Sequence, residues 1–275
     1  MAATEYILMN QDAPVLEFTC RRNEFDEPEF FEGTWHTDYR PIGYRGLAVF
    51  LEHRKAPKHR EHIRQLLEQY GCDDLEGFLQ VTRALSLNDT FWVKRQGEVL
   101  QWRDVSLYTN PFSEVISEAA FDGTVSETDF SSTSPEFGTD GYYAKCWIRE
   151  ESGIKLYKSG SAFLEIEPLS EFLASQLAEG ICRQAVLYDL DYYHGKLISK
   201  CPLFTSETVG LAKASAVFHG AEHTIPDLLQ YFRGIGSEDA FRRMCILDAI
   251  ILNPDRHYGN FGVLFDTATM EVLQM

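Results

Sequence analysis

Apolar positions along this chain repeat at two spacings, and each switch between them marks an element. Period-two runs in YILMN (6–10) and PVLEFTC (14–20), around the polar QDA, predict an antiparallel hairpin. Residues 22–45 mix acids, aromatics and glycines without a period. They are expected to be irregular, with one strand near YRPIGY (39–44). HREHIRQLLEQYG (59–71) has helical spacing, with Ile63, Leu66, Leu67 and Tyr70 on one face. DDLEGFLQVTRALS (73–86) predicts a second helix, capped by Asp73 or Asp74, with Leu75, Phe78, Leu79 and Leu85 inward. From 86 to 108 the pattern reads as a turn, a strand, a turn at Gly97 and a second strand-like piece. Phe91, Trp92 and Trp102 are its core residues. NPFSEVISEAAF (110–121) predicts a short helix.

The stretch 122–141, DGTVSETDFSSTSPEFGTDG, is the best linker or functional loop in the chain. Beyond it, two alternating runs flank EESG (150–153) and predict a hairpin over 142–160. EPLSEFLASQLAEG (167–180) predicts a helix that buries Leu169, Phe172, Leu173, Leu177 and Ala178. QAVLYDLDYYHGKLISKCPLF (184–204) reads as strands with turns at Leu190-Asp191 and His194-Gly195. IPDLLQYFRGIG (225–236) reads as a helix. SEDAFRRMCILDAIILN (237–253) reads as a longer one, with a capping box at Ser237 and Phe241, Met244, Leu247, Ile250 and Ile251 buried. FGVLFD and EVLQM, joined by DTAT, predict a closing hairpin. A strand hairpin and one helix, then more strands, helices, a polar loop and a hairpin make an α+β layout. Protein kinases are built in this order.

Composition narrows the class. Of 275 residues, 44% are apolar and 24% charged, ample for a packed core and unlike a disordered chain. The net charge of −17 repels phosphate backbones, so no direct nucleic-acid binding is expected. The one dense basic run, HRKAPKHREHIR (53–64), is expected to be a solvated helix start. Six cysteines at irregular spacing, with no CxxC pair and no secretory signal, fit reduced thiols in a cytoplasmic protein. No apolar run reaches the roughly 18 residues that span a bilayer. His219 and His223 in HGAEH, and the similar HREH (59–62), lack a third ligand at a sensible distance and read as surface histidines.

The chemistry concentrates in ILNPDRHYGNFGVLFD (251–266). Asp255 follows a predicted buried helix and heads a short loop, where a carboxylate can take the proton of a hydroxyl nucleophile. Asn260, five positions on, can offer an amide oxygen to a Mg²⁺ that bridges nucleotide phosphates. Arg256 and His257 would orient the loop by hydrogen bonds. Gly259 and Gly262 would let backbone pass closely. A base Asp five residues before a metal-binding Asn is the logic of a kinase catalytic loop, with the order His-Arg-Asp changed here to Asp-Arg-His.

LDAIILNPDRHYGNFGVL (247–264) resembles the catalytic segment of the HipA-like kinase family, of the form N-x-D-R-H-x-x-N. Upstream, SEFLASQLA (170–178) is similar to the family helix that carries a Glu, here Glu171. KLYKSGS (155–161) is similar to its strand with a phosphate-binding Lys, here Lys158. DGYYAKCWI, LSLNDTFWVK and YILMNQDAPVLEF resemble N-terminal parts of bacterial HipA-like proteins, so the likeness runs over most of the chain.

The resemblance implies a protein-kinase-like bilobal fold: an N-terminal α+β domain (1–130), a kinase-like N-lobe (131–205) and a partial helical C-lobe (206–275). It implies ATP and Mg²⁺, with Lys158 neutralising phosphates and Glu171 holding it. Lys155 is the rival lysine, and Glu165 and Glu167 are the rival acids. Lys158 is favoured because it precedes Ser159 and Gly160, where phosphate approach is easy. Residues 131–141 would cover the phosphates and 198–204 would contact adenine. The family's second metal-ligating Asp, in an F-D-x-G-like segment, is expected just past Met275. Asp266, the nearest acid, falls on the hairpin turn. The implied activity is serine/threonine protein phosphorylation in the full-length form, impaired without that ligand. The alternative is an inactive kinase-shaped module that binds a protein partner of antitoxin type, whose basic surface would suit an acidic chain.

Overall fold

A computed structural model describes residues 3–55, 74–123, 134–139, 143–161, 166–218 and 223–275. The helix expected at 59–71 therefore lies outside the described residues. The chain divides into two compact units, one of residues 1–40 and 44–151, the other of 41–43 and 152–275. Residues 134–151 thus fall with the first unit, and no division separates 152–205 from 206–275.

The first unit is built on a four-stranded antiparallel sheet. Its strands β1 (Thr4–Asn10), β2 (Ala13–Arg22), β3 (Pro28–Trp35) and β4 (Phe91–Arg95) lie in the order β3-β2-β1-β4. The period-two pattern sets the register. Tyr6 faces Phe18 and Leu8 faces Leu16, all four are buried, and the Tyr6 and Phe18 rings stack at 5.4 Å. β3 occupies part of the segment read as irregular. It is an edge strand that is exposed or half-buried along its whole length, which hides its period. Helices α1 (Leu47–Glu52) and α2 (Leu75–Thr82) follow, and the Asp74 side chain caps α2 by accepting from Gly77 N–H at 2.8 Å. The expected second strand near 98–108 is instead a helical turn, α3 (Trp102–Val105), which Gln101 and Asp104 cap reciprocally. Helix α4 (Glu114–Asp122) and strand β5 (Lys145–Glu150) also belong to this unit.

Arg54 is not on a solvated face as its basic run implied. It is 6% exposed, grips both oxygens of Asp89 at 2.8 and 2.9 Å and donates to the carbonyls of Ala84 and Phe91. Within 134–139, Glu136 is buried and takes hydrogen bonds from the Ser134 and Ser117 hydroxyls and Trp147 N–H. That part of the serine-rich segment is packed into the first unit.

In the second unit β6 (Gly153–Ser159), β8 (Lys196–Pro202) and β7 (Asp189–Tyr193) pair antiparallel. β7 and β8 meet at His194-Gly195, both at positive φ, the geometry of a two-residue hairpin turn. The turn expected at Leu190-Asp191 is absent, and that pair lies within β7. A second sheet, β11-β10-β9, joins β9 (Val209–Lys213), β10 (Gly262–Asp266) and β11 (Val272–Gln274). Around these sheets lie α5 (Glu167–Ile181), α6 (Ala214–Val217), α7 (Ile225–Gly234) and α8 (Glu238–Ile251). Ala212, Phe218, Leu228, Phe232, Phe241, Val263 and Phe265 share one core, in which Phe232 stacks on Phe241 at 4.8 Å.

Three expectations for these helices fail. Leu169, Leu173 and Leu177 of α5 are 43–53% exposed, while Pro168, Ser175 and Ala178 are its buried residues. Ile250 of α8 is 56% exposed. Ser237 occupies the N-cap position of α8, but its hydroxyl accepts from Met275 N–H at 3.0 Å instead of capping the helix.

Candidate functional site

Two groups of polar side chains form in the second unit. The first centres on Lys158, near the end of β6. Its ammonium donates to Glu171 Oε1 at 2.9 Å and to Tyr188 Oη at 2.8 Å. β6 pairs with β8 and α5 packs on both, so strand and helix bring the two charges together. The Ser199 hydroxyl, opposite Lys158 in the β6–β8 register, donates to the other Glu171 oxygen. Burial alone would pull the Lys158 ammonium down. Tyr188 and Glu171 outweigh it and hold the group above its ordinary value. Burial pushes the Tyr188 phenol up to about 12, so it stays neutral and its oxygen accepts. An ammonium has three donors, and two are engaged here, which leaves one for an incoming anion. Ser159 is buried beside this lysine and its hydroxyl reaches Gly160 O at 3.5 Å. Of the rival acids, Glu167 accepts from Ser161 N–H at 2.9 Å, and Glu165 lies outside the described residues.

The second group is the loop after α8. The helix ends at Leu252, in left-handed backbone at φ 53°, which turns the chain sharply into Asn253. Tyr258 and Phe261 then anchor the loop against the aromatic core, 5.9 Å from Phe218 and 6.1 Å from Phe241 by ring centroids. The carbonyls of Tyr258 and Phe261 accept from Ser215 and Ala214 N–H, both at 2.8 Å. At Gly262 a β-carbon would stand 2.2 Å from Ala212 O, so only glycine lets β10 approach β9 there.

Between these anchors the polar residues bond to one another. Asn260 Nδ2 donates to Asp255 O at 2.7 Å and to Asp255 Oδ2 at 3.2 Å. Arg256 Nη1 reaches Asn260 O at 3.0 Å. His257 Nδ1 accepts from Gly259 N–H at 3.0 Å, which leaves the ring proton on Nε2, 4.0 Å from Asp255 Oδ1. Asp255 is 79% exposed. The network turns Asn260 Nδ2 inward and so frees Oδ1 for a cation.

Asn260 Oδ1 is a hard oxygen donor of the kind Mg²⁺ takes. Among the described residues no group of three or more His, Cys, Asp or Glu side chains could hold a metal by itself. Asp266 accepts from Ala268 N–H, Thr269 N–H and the Thr269 hydroxyl on the hairpin turn.

The structure therefore unites Lys158 with Glu171, and Asp255 with Arg256, His257 and Asn260. No hydrogen bond or ion pair among the described residues joins the two groups. Arg243 of α8 donates to Ile181 O at 2.9 Å, at the end of α5 away from Glu171. Tyr188, Ser199 and Asp248 escaped the sequence reading. Asp248 left one trace, an acid on the helix that leads to Arg256. Tyr188 left none, because it reaches Lys158 only through the fold.

His223 of HGAEH is a ring packed edge-on to Phe218 at 5.3 Å, and His219 and the HREH stretch lie outside the described residues. Cysteines 20, 182, 201 and 245 are free thiols. No described helix is long and apolar enough to cross a membrane. Compared with protein-family models and with curated proteins, the chain matches none.

Proposed function

We propose that this chain is a HipA-like, ATP-dependent serine/threonine protein kinase. β6, β7, β8 and α5 would form its small lobe, and residues 206–275 part of its helical lobe. One observation carries the reading. Lys158 is fixed by Glu171 and Tyr188 with a donor to spare, in the same unit as a loop that holds Asp255 open and Asn260 Oδ1 free.

In this reading Lys158 donates to a phosphate oxygen of ATP and Glu171 keeps it in place. Asp255 accepts the proton of the attacking hydroxyl as the new P–O bond forms and the bond to ADP breaks. Asn260 is the residue that would hold Mg²⁺, which supplies charge neutralisation at the phosphates when bound. Arg256 and His257 orient the loop.

The test is incubation of the chain with Mg²⁺ and radiolabelled ATP. Mg-ATP should raise the melting temperature, label should enter the chain or an added protein, and Asp255→Asn should abolish labelling without abolishing the thermal shift. Undiminished labelling in Asp255→Asn removes the role given to Asp255.

A second reading rests on a separate observation. Ile166, Leu169, Leu173 and Leu177 form an exposed apolar stripe along α5, and the chain carries −17 net charge. Both suit an inactive module that binds a basic protein of antitoxin type. A thermal shift with Mg-ATP and no turnover by the wild type favours this reading over the first.

A further inference from the structure

Asp248 is a carboxylate on which both ends of the Asp255–Asn260 loop depend. Its Oδ1 accepts from Asn253 Nδ2 and from Arg256 Nη2, each at 2.8 Å, and its Oδ2 accepts from Arg256 Nε at 2.7 Å. Those two partners pass the constraint on. Asn253 Oδ1 takes the Asp255 N–H at 3.0 Å, which fixes the backbone where the loop begins. Arg256 Nη1 donates to Asn260 O at 3.0 Å, which fixes the backbone where it ends.

The helix gains nothing from this acid. Asp248 lies in the last turn of α8, where the orphan carbonyls make an anion unfavourable, and that turn has no basic residue to offset it. Its side chain is also only 12% exposed, so the charge forgoes much of its hydration. Both costs are offset at the loop, through the forked guanidinium pair and the Asn253 amide.

We infer that Asp248 is a positioning residue: it sets the placement of Asp255 and Asn260 without touching substrate. The inference rests on the kinase reading above and goes beyond it, because it separates the chemistry from nucleotide capture. Lys158, kept in place by Glu171, would hold phosphates without a contact to Asp248. Loss of Asp248 therefore slows transfer more than it weakens Mg-ATP binding, because Asp255 and Asn260 shift while Lys158 stays in place. Displacement of a base and a ligand by about 1 Å costs on the order of 100-fold in rate.

The experiment measures kcat for labelling and the Kd for Mg-ATP in the wild-type chain, Asp248→Asn and Asp248→Glu. The expected result is a kcat about 100-fold lower in Asp248→Asn, partial recovery in Asp248→Glu, and a Kd for Mg-ATP that rises far less than kcat falls. If Asp248→Asn does not fold, Asn253→Ala decides, since it cuts one tether only. It should lose about tenfold in kcat with a smaller rise in Kd. A kcat within threefold of an active wild type in the folded variant overturns the inference and leaves the kinase reading standing. A wild type that neither binds Mg-ATP nor labels overturns both.

Discussion

Replacing Glu171 by Gln removes one charge from the Lys158 group and almost nothing else. The amide keeps the carboxylate's shape. Its oxygen can face Lys158 while its NH₂ faces Ser199, whose hydroxyl turns to accept. What disappears is the attraction between two unit charges 2.9 Å apart. At an effective dielectric constant of about 20 that attraction is about 6 kcal/mol. The side chains are 20% and 35% exposed, so water screens part of it, and the amide retains a hydrogen bond of about 1 kcal/mol. A net cost of about 2–3 kcal/mol is expected. Lys158→Met removes the other charge, and the double variant leaves neither charge alone.

The assay is a double-mutant cycle by urea denaturation. All four tryptophans, at 35, 92, 102 and 147, lie in the first unit, so their fluorescence does not report this group. The second unit carries the long helices α5 and α8, and far-UV circular dichroism follows it. The two single variants should cost more than the double, with a coupling of about 2 kcal/mol. A coupling below about 0.5 kcal/mol refutes the reasoning, because the ion pair would then be no better than a surface contact. In parallel, Lys158→Met should lose the thermal shift with Mg-ATP.

Gly262→Ala should destabilise the second unit by about 3 kcal/mol, since its β-carbon meets backbone atoms of Ala212 and Lys213 that cannot rotate away. A loss under about 1 kcal/mol in urea would show that β9 and β10 part easily. Acid stability gives another check. Burial would raise the Asp248 pKa, but hydrogen bonds from Arg256 and Asn253 outweigh it and hold it below the ordinary 3.8. A depressed carboxylate contributes stability that is full above its unfolded pKa and is lost as pH falls through the folded one. Second-unit stability should therefore have an acid limb below about pH 4 that is shallower in Asp248→Asn, and an identical limb in that variant sinks the assignment.

The elements that could be read from sequence are those whose partners lie close in the chain. The β1–β2 hairpin, the cap at Asp74 and the loop from Asn253 to Asn260 are each decided within about ten residues, by alternation, by an Asx side chain or by a helix stop. β3 failed because an edge strand buries too little to show its period. The leucines of α5 failed for the opposite reason. Helical spacing of apolar residues states that a face exists and not that anything covers it, and in α5 the small residues Ser175 and Ala178 face inward. The residues of the candidate site follow the same rule. Asp255 and Asn260 announce themselves by local spacing. Tyr188 meets Lys158 across 30 positions and Ser199 meets Glu171 across 28, through the pairing of β6 with β8 and the packing of α5. Asp248 is the intermediate case, only 8 residues from Arg256, yet joined to it only because the left-handed turn at Leu252 folds the loop back on its own helix. A helix that ended one turn later or without that reversal would carry the same motif and leave its arginine without a partner, which is why the motif alone does not specify a working loop.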